Sequence, residues 1–526
     1  MPEPFVSVVT PVYRPNPEHL RAFVASVRDQ TLQEWHLVLV DDGSGAAEVS
    51  AILSEADTDP RVTVVVRPVN GGIVAATNDG LAAATGDYVA FADQDDVLAP
   101  HALETMVTAA RASPTAELLY SDEDKVDDHG EFSDEFRKPD YSPERLRGNM
   151  YMGHLLMARR EAVVALGGMR EGFDGSQDHD LALRLSERGA PVIHVPEVLY
   201  HWRRHAGSTA EVAGGKPEAV RAGVRAVQDH VDRLDLHASV SATDYPGFYR
   251  LDRHPKAGSM VSIVIPTRGG SGDAFDRRRC FVVEAVRSIE AHSYEVDYEY
   301  VIVADAPTRW VDVSYLDDLA GIAGQRLRVV EYRGDFNFSE KVNLGALHAR
   351  GDLLCFLNDD VEVISPRWLD TLAAIAQQPD VGAVGCLLRF EDGTLQHAGH
   401  LYGKGEATHA YFESGDRTGY FGDLLLDRET IGVTAACLMQ RRDVWWEVGG
   451  FTETLPVSFN DVDFCLKIQE AGYRVVTAAS VELLHFESRT RSRRVRAWEP
   501  TRLRARWRHR LEHDPYSPYL SERIGT

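Results

Sequence analysis

Val6-Ser-Val-Val-Thr-Pro11 returns 255 residues later as Val261-Ser-Ile-Val-Ile-Pro266. Each is a short β-branched run closed by proline, the pattern of a buried parallel strand opening into a loop. Four further matches follow in the same order. His36-Leu-Val-Leu-Val-Asp-Asp42 returns as Tyr300-Val-Ile-Val-Ala-Asp305, and Gly86-Asp-Tyr-Val-Ala-Phe-Ala-Asp-Gln-Asp95 as Gly351-Asp-Leu-Leu-Cys-Phe-Leu-Asn-Asp-Asp360. Gln177-Asp-His-Asp-Leu-Ala-Leu-Arg-Leu185 returns as Asn460-Asp-Val-Asp-Phe-Cys-Leu-Lys-Ile468, and Leu199-Tyr-His201 as Leu483-Leu-His485. The chain is a duplication.

Between the strand runs lie helical patterns such as Leu20–Asp29 and Pro366–Gln378. Strands alternating with helices predict an α/β fold, a mostly parallel sheet covered on both faces, built twice. The predicted division is a first domain over 1–255, ending in a linker helix at Lys216–Leu234, a second over 256–488, and an arginine-rich tail over 489–526. The length of 526 residues suits two cores of ordinary size.

A net charge of −25 argues against nucleic acid as partner. The tail departs from that balance, with ten arginines between Arg489 and Arg510. Two readings of it stand: docking on an anionic membrane face, or a helix paired to acids of the second domain. The five cysteines form no CxxC pair, and with no leader or membrane-length apolar run the sequence predicts a cytoplasmic protein with reduced thiols.

In open α/β sheets ligands bind at the carboxyl ends of strands. Here those ends carry Asp41, Asp42, Asp93, Asp95 and Asp96, then Asp305, Asp359 and Asp360. Clustered carboxylates at a buried strand end repel one another unless a cation lies between them, and an oxygen-rich set favours Mg²⁺ or Mn²⁺. Asp178 and Asp461 stand apart from these acids, in the first turn of a predicted helix. They are placed to act as general bases while a cation stabilises a departing diphosphate. Their neighbours Asp180 and Asp463 are structural or substrate-orienting. His201 and His485 follow the bases by 23 and 24 residues, and read either as metal ligands or as ordinary histidines.

With these motifs in place, the sequence resembles the family 2 glycosyltransferases of the GT-A fold, in particular tandem bacterial members that build O-antigen and related surface polysaccharides. Tyr120-Ser-Asp-Glu-Asp-Lys125, Phe173-Asp-Gly-Ser-Gln-Asp178, Phe336-Asn-Phe-Ser339 and Asp392-Gly-Thr-Leu-Gln-His-Ala-Gly399 carry the likeness, which covers nearly the whole chain. It implies a nucleotide-diphosphate sugar donor (UDP- or dTDP-linked), a divalent metal, inversion at the anomeric carbon, and a glycan acceptor that can be lipid-linked. Carried over by position, it places Pro11, Tyr13, Asp42 and Asp93, and Pro266, Asp305, Asn358 and Asp359, on the nucleotide-sugar. Asp42 and Asp305 match the aspartate that reads the base. Asp95 and Asp360 match the metal acid, joined by His201 and His485, and Asp178 and Asp461 match the catalytic base. Gln177 and Asn460 replace the glutamate usual before that base, and Asn358 replaces the first acid of the DxD motif. The expectation is a bifunctional enzyme with one linkage per domain; the alternative has one catalytic domain and one that binds acceptor or acts as scaffold.

Overall fold

The computed structural model describes residues 3–204, 217–292, 294–307, 313–486, 496 and 498–524. The chain forms two compact units. One reaches to Leu234 and takes in Val240–Leu251; the other holds Asp235–Ser239 and the chain from Asp252 onward.

In the first unit the sheet runs Val62–Val66, Trp35–Asp41, Val6–Val12, Tyr88–Phe91, Leu156–Arg159, Leu118–Val126, Val192–Arg203, Val97–Leu98. Its first four strands are parallel; Leu156–Arg159 then enters antiparallel. The second unit repeats this order strand for strand: Leu327–Tyr332, Asp297–Asp305, Met260–Thr267, Leu353–Leu357, Cys437–Arg441, Val381–Arg389, Arg474–His485, Val361–Val363. Trp35–Asp41 is buried throughout, as a parallel strand covered on both faces must be, and so is nearly all of Met260–Thr267.

The duplication extends to small contacts. Ser7 Oγ accepts hydrogen bonds from the backbone N–H of Thr85 (3.0 Å) and Gly86 (2.9 Å), and Ser262 Oγ accepts one from Gly351 (2.8 Å). Helices Ile73–Ala83 and Phe338–His348 press a glycine against the central strand. A methyl group on Gly80 would collide with Val9 and Val40, and one on Gly345 with Val264 and Val303.

Helix Pro17–Arg28 starts where Asn16 accepts from Glu18 N at 2.9 Å, with proline at its first position, and buries Leu20, Phe23, Val24 and Val27. The expected helices at Pro366–Gln378 and Lys216–Leu234 form over Trp368–Ala376 and Pro217–Arg233. All five cysteines are free thiols. Among the described residues no helix is long and apolar enough to cross a membrane.

The arginine-rich tail differs from a detached segment. Arg489, Arg491, Arg493 and Arg494 lie outside the described residues, but helix Trp498–Trp507 belongs to the second unit. Leu503, Trp507 and Leu511 pack with Tyr402, Ile431, Val462 and Leu466. Its arginines bind that same unit: Arg502 donates to Thr454 O (2.7 Å), Arg506 pairs with Asp463 (2.9 Å) and Arg510 donates to Gln469 (2.9 Å). Of the two sequence readings, these contacts favour the helix paired to its own domain. Trp507, 2% exposed, also donates from its indole to Asp463. Trp507→Ala should lower the stability of the second unit by about 3–5 kcal/mol, read by chemical denaturation.

Candidate active sites at the strand ends

In the second unit the strand ends open into a cavity of about 700 Å³. Pro266, Asn358, Asp359, Asp360, Asp461 and His485 all line it. Residues 200 positions apart in sequence are thus brought together by the topology. At the strand end, Thr267 donates to Asp359 Oδ2 at 2.6 Å, and His485 Nε2 lies 3.1 Å from both Asp360 Oδ1 and Asn358 Nδ2. Burial, then the charge of Asp360, pushes the Asp359 carboxyl up to about 7, against the pull of Thr267 and Lys341. Two adjacent acids that resist joint ionisation, with an imidazole beside them, form a donor set that fits a divalent cation.

Asp305 is not among the residues lining this cavity. Lys341, 1% exposed, spans from Asp305 Oδ1 (2.6 Å) to Thr267 O (2.9 Å) and itself lines the cavity. No motif pointed to this lysine. Its signal was its position two residues beyond Phe336-Asn-Phe-Ser339, on the helix that Asn337 caps.

Asp461 occupies the first turn of helix Asn460–Glu470. It accepts from Val462 N (2.9 Å) and Ala435 N (3.3 Å), and His400 Nε2 stands 3.8 Å away. Burial alone would raise this carboxyl; His400 and Thr434 outweigh it and hold Asp461 well below the usual carboxylate range. It is therefore ionised at neutral pH, as a proton acceptor must be. Asp463 points elsewhere, accepting from Thr452 (2.6 Å), Arg506 and Trp507 (2.7 Å), which is the structural one of its two expected roles.

In the first unit Asp42 is buried and accepts from Asn70 Nδ2, Gly71 N and Gly72 N, each at 2.9 Å. Tyr13, beyond Pro11 at the end of the central strand, exchanges backbone bonds with the Gln94 amide, tying that loop to the acids. Asp178 opens helix Gln177–Ser186 and accepts from His179 N at 2.8 Å. Asp180 is fully buried between Arg170 and Arg184, again a structural role.

The acid loop differs between the units by one residue. Phe91 and Phe356 hold equivalent places beside Val9 and Val264, and Val97 and Val361 hold equivalent places opposite His201 and His485. Five residues separate the first pair of landmarks and four the second. Counting forward from the phenylalanines matches Asp95 to Asp360; counting back from the histidines matches Asp96. Asp96 is buried, accepting from Tyr200 OH (2.5 Å) and Arg203 N (2.7 Å), while the Asp95 carbonyl accepts from Arg203 Nε (2.7 Å).

The group drawn close here is Asp93, Asp96 and His154, whose ligand atoms lie within 4.8 Å of one another. Burial, then Asp93, pushes Asp96 up to about 7. His201 stands outside that group, its Nδ1 2.6 Å from Asp124 and its ring against Phe132. His154 carried no sequence signal, because it lies in the bend just before the antiparallel strand Leu156–Arg159, which has no counterpart among the repeated motifs.

Two family models match the chain in tandem: "Glycosyl transferase family 2" over residues 7–163 and "Glycosyltransferase like family 2" over residues 261–509. The O-antigen biosynthesis protein RfbC of Myxococcus xanthus is 39% identical over 93% of this chain, which spans 38% of that protein. The chondroitin synthase of Escherichia coli is 28% identical over 39% of the chain and 30% of its own length. The chain thus spans less than two thirds of the length of these relatives. Among solved structures, TarS of S. aureus in complex with UDP-GlcNAc is 18% identical, with a TM-score of 0.36 over 43% of this chain and 66% of its own. The chain belongs to the family 2 glycosyltransferases, and carries two of their GT-A domains.

Asp359→Asn removes one of two repelling charges. Without added metal, this variant should melt above the wild type at pH 8. Asp359 has a raised folded-state pKa, so its ionisation costs stability above about 7 and the cost fades as pH falls toward the unfolded value. The gain should shrink accordingly between pH 7 and 5, as followed by thermal denaturation.

Proposed function

We propose that both units transfer sugars from nucleotide-diphosphate donors to a growing bacterial surface glycan, with inversion and one linkage per unit. The observation that carries this reading is the second unit's cavity, where an ionised Asp461 stands apart from the Asp359–Asp360 pair. In this reading Asp461 takes the proton of the acceptor hydroxyl as its oxygen bonds to the anomeric carbon. The bond from that carbon to the donor diphosphate breaks on the opposite side. Asp360 and His485 would hold Mn²⁺ or Mg²⁺, which when bound neutralises charge on the departing diphosphate. Lys341 and Arg268 add positive charge at the same cavity. In the first unit Asp178 takes the part of the base, and Asp93, Asp96 and His154, with Asp95 beside them, supply the candidate metal set.

The surface-glycan assignment draws on the likeness to RfbC along most of this chain. A second reading, in which the first unit binds acceptor without transferring, draws on the pairing of His201 with Asp124 away from the acids.

Asp461→Asn should lower the rate of one linkage by about 10²–10⁴-fold and Asp178→Asn that of another, each with nucleotide binding retained. Mass spectrometry of products on a defined acceptor reads both. A variant that makes the full product at the wild-type rate marks its unit as non-catalytic. Transfer should stop in excess EDTA and return with Mn²⁺ or Mg²⁺; full activity in EDTA would exclude the metal.

A further inference from the structure

Three imidazoles, those of His397, His400 and His409, gather on the wall of the second unit's cavity, with nitrogens within 4.8 Å of one another. Such a cluster suggests a metal, but the hydrogen bonds assign its protons differently. Thr434 N donates to His397 Nε2 at 3.2 Å, so that nitrogen is bare and the proton sits on Nδ1. A protonated nitrogen cannot ligate. His397 Nδ1 lies 2.7 Å from His409 Nδ1 and donates to it. The proton of neutral His409 is thereby fixed on Nε2, for which no described residue supplies an acceptor.

This leaves an N–H donor with no partner among the described residues, on a side chain that lines the cavity. The His400 ring lies 5.7 Å from that of His409, and His400 Nε2 is 3.8 Å from Asp461. Next to His409, Phe412 lies in near-parallel stacking at 6.1 Å, is 46% exposed, and lines the same cavity. An apolar ring face beside a directed donor suits a pyranose, which has a C–H face and a rim of hydroxyls.

We propose that Phe412 and His409 form the acceptor-sugar subsite of the second unit. Phe412 takes the apolar face of a pyranose, and His409 donates to the hydroxyl neighbouring the one that Asp461 deprotonates. The inference rests on the reading of Asp461 as base. His397 acts as a positioning residue, through the tautomer it imposes on His409.

The test uses the full chain with Mn²⁺, UDP-, dTDP- and GDP-sugars as donors, and methyl glycosides of glucose, galactose, mannose, rhamnose and N-acetylglucosamine as acceptors. His409→Ala and Phe412→Ala should each raise the acceptor KM about five- to fifty-fold, with donor KM held within about twofold. His409→Gln, which keeps an N–H donor, should recover most of the loss. A monodeoxy acceptor lacking the neighbouring hydroxyl should be penalised by the wild type and not further by His409→Ala. An unchanged acceptor KM in His409→Ala overturns the inference, as does a wild type that hydrolyses donor yet responds to none of the glycosides. Stoichiometric zinc in the purified protein, lost in His409→Ala, would make the cluster a metal site instead. A wild type that neither hydrolyses nor transfers any donor defeats the parent reading itself, and an Asp461→Asn variant with full transfer does the same.

Discussion

A strand covered on both faces can carry charge only where it ends. That constraint orders each unit of this protein. Val6–Val12, Trp35–Asp41 and Tyr88–Phe91 are mostly apolar along their buried lengths, with Ser7 and His36 hydrogen-bonded, because unpaired charge there would be costly. Their polar chemistry is displaced to the carboxyl ends, where parallel strands all open on the same side. Acids from strands far apart in sequence therefore converge. The same holds for Met260–Thr267 and Leu353–Leu357, while Asp297–Asp305 buries one charge near its start, Glu299, which Arg350 pairs at 2.6 Å. Asp305, Asp359 and Asp360 lie at the same side of the sheet because its strands leave charge nowhere else to go.

How much of this was legible in the sequence follows from the same physics. The duplication, the α/β class and the helices opening at Gln177 and Asn460 were legible because buried strands and first-turn acids leave local patterns. What escaped reading depends on partners distant in the chain. Lys341 matters because it meets Asp305, 36 residues away, and His154 because the antiparallel strand carries it to Asp93 and Asp96. The one-residue difference in the acid loop is invisible in sequence, where counting from Phe91 makes Asp95 and Asp360 equivalent. Only strand pairing at His201 and His485 exposes the second way of counting. Asp180 and Asp463 were left open between two roles, and their arginine and tryptophan partners decide them.

The two copies have kept their backbone and changed their walls. Ser7 and Ser262 tie the same turn, and Gly80 and Gly345 admit the same close approach of helix to strand. Those positions fail sterically if altered, so they hold. The loops at the strand ends are under no such demand. There Asp42 is held by backbone N–H groups, while Asp305 is held by a buried lysine. His201 turns to Asp124, while His485 turns to Asp360. Membership of one glycosyltransferase family accounts for what is common to the halves. The loops at the strand ends are where the halves differ.

The indole of Trp507 reaches Asp463 across 44 residues of chain, on the helix that also holds Asp461. This has a consequence for how the protein comes into being on the ribosome. The helix bearing Asp461 leaves the exit tunnel well before the segment that fastens it, so its packing cannot be completed until that later segment has emerged. The first unit repeats the pattern: helix Gln177–Ser186 and its flanks wait for Pro217–Arg233, through Ser176 with Ala219 and Glu187 with His230. A nonsense codon anywhere between Asp463 and Trp507 would therefore release a polypeptide whose second unit is left unfastened.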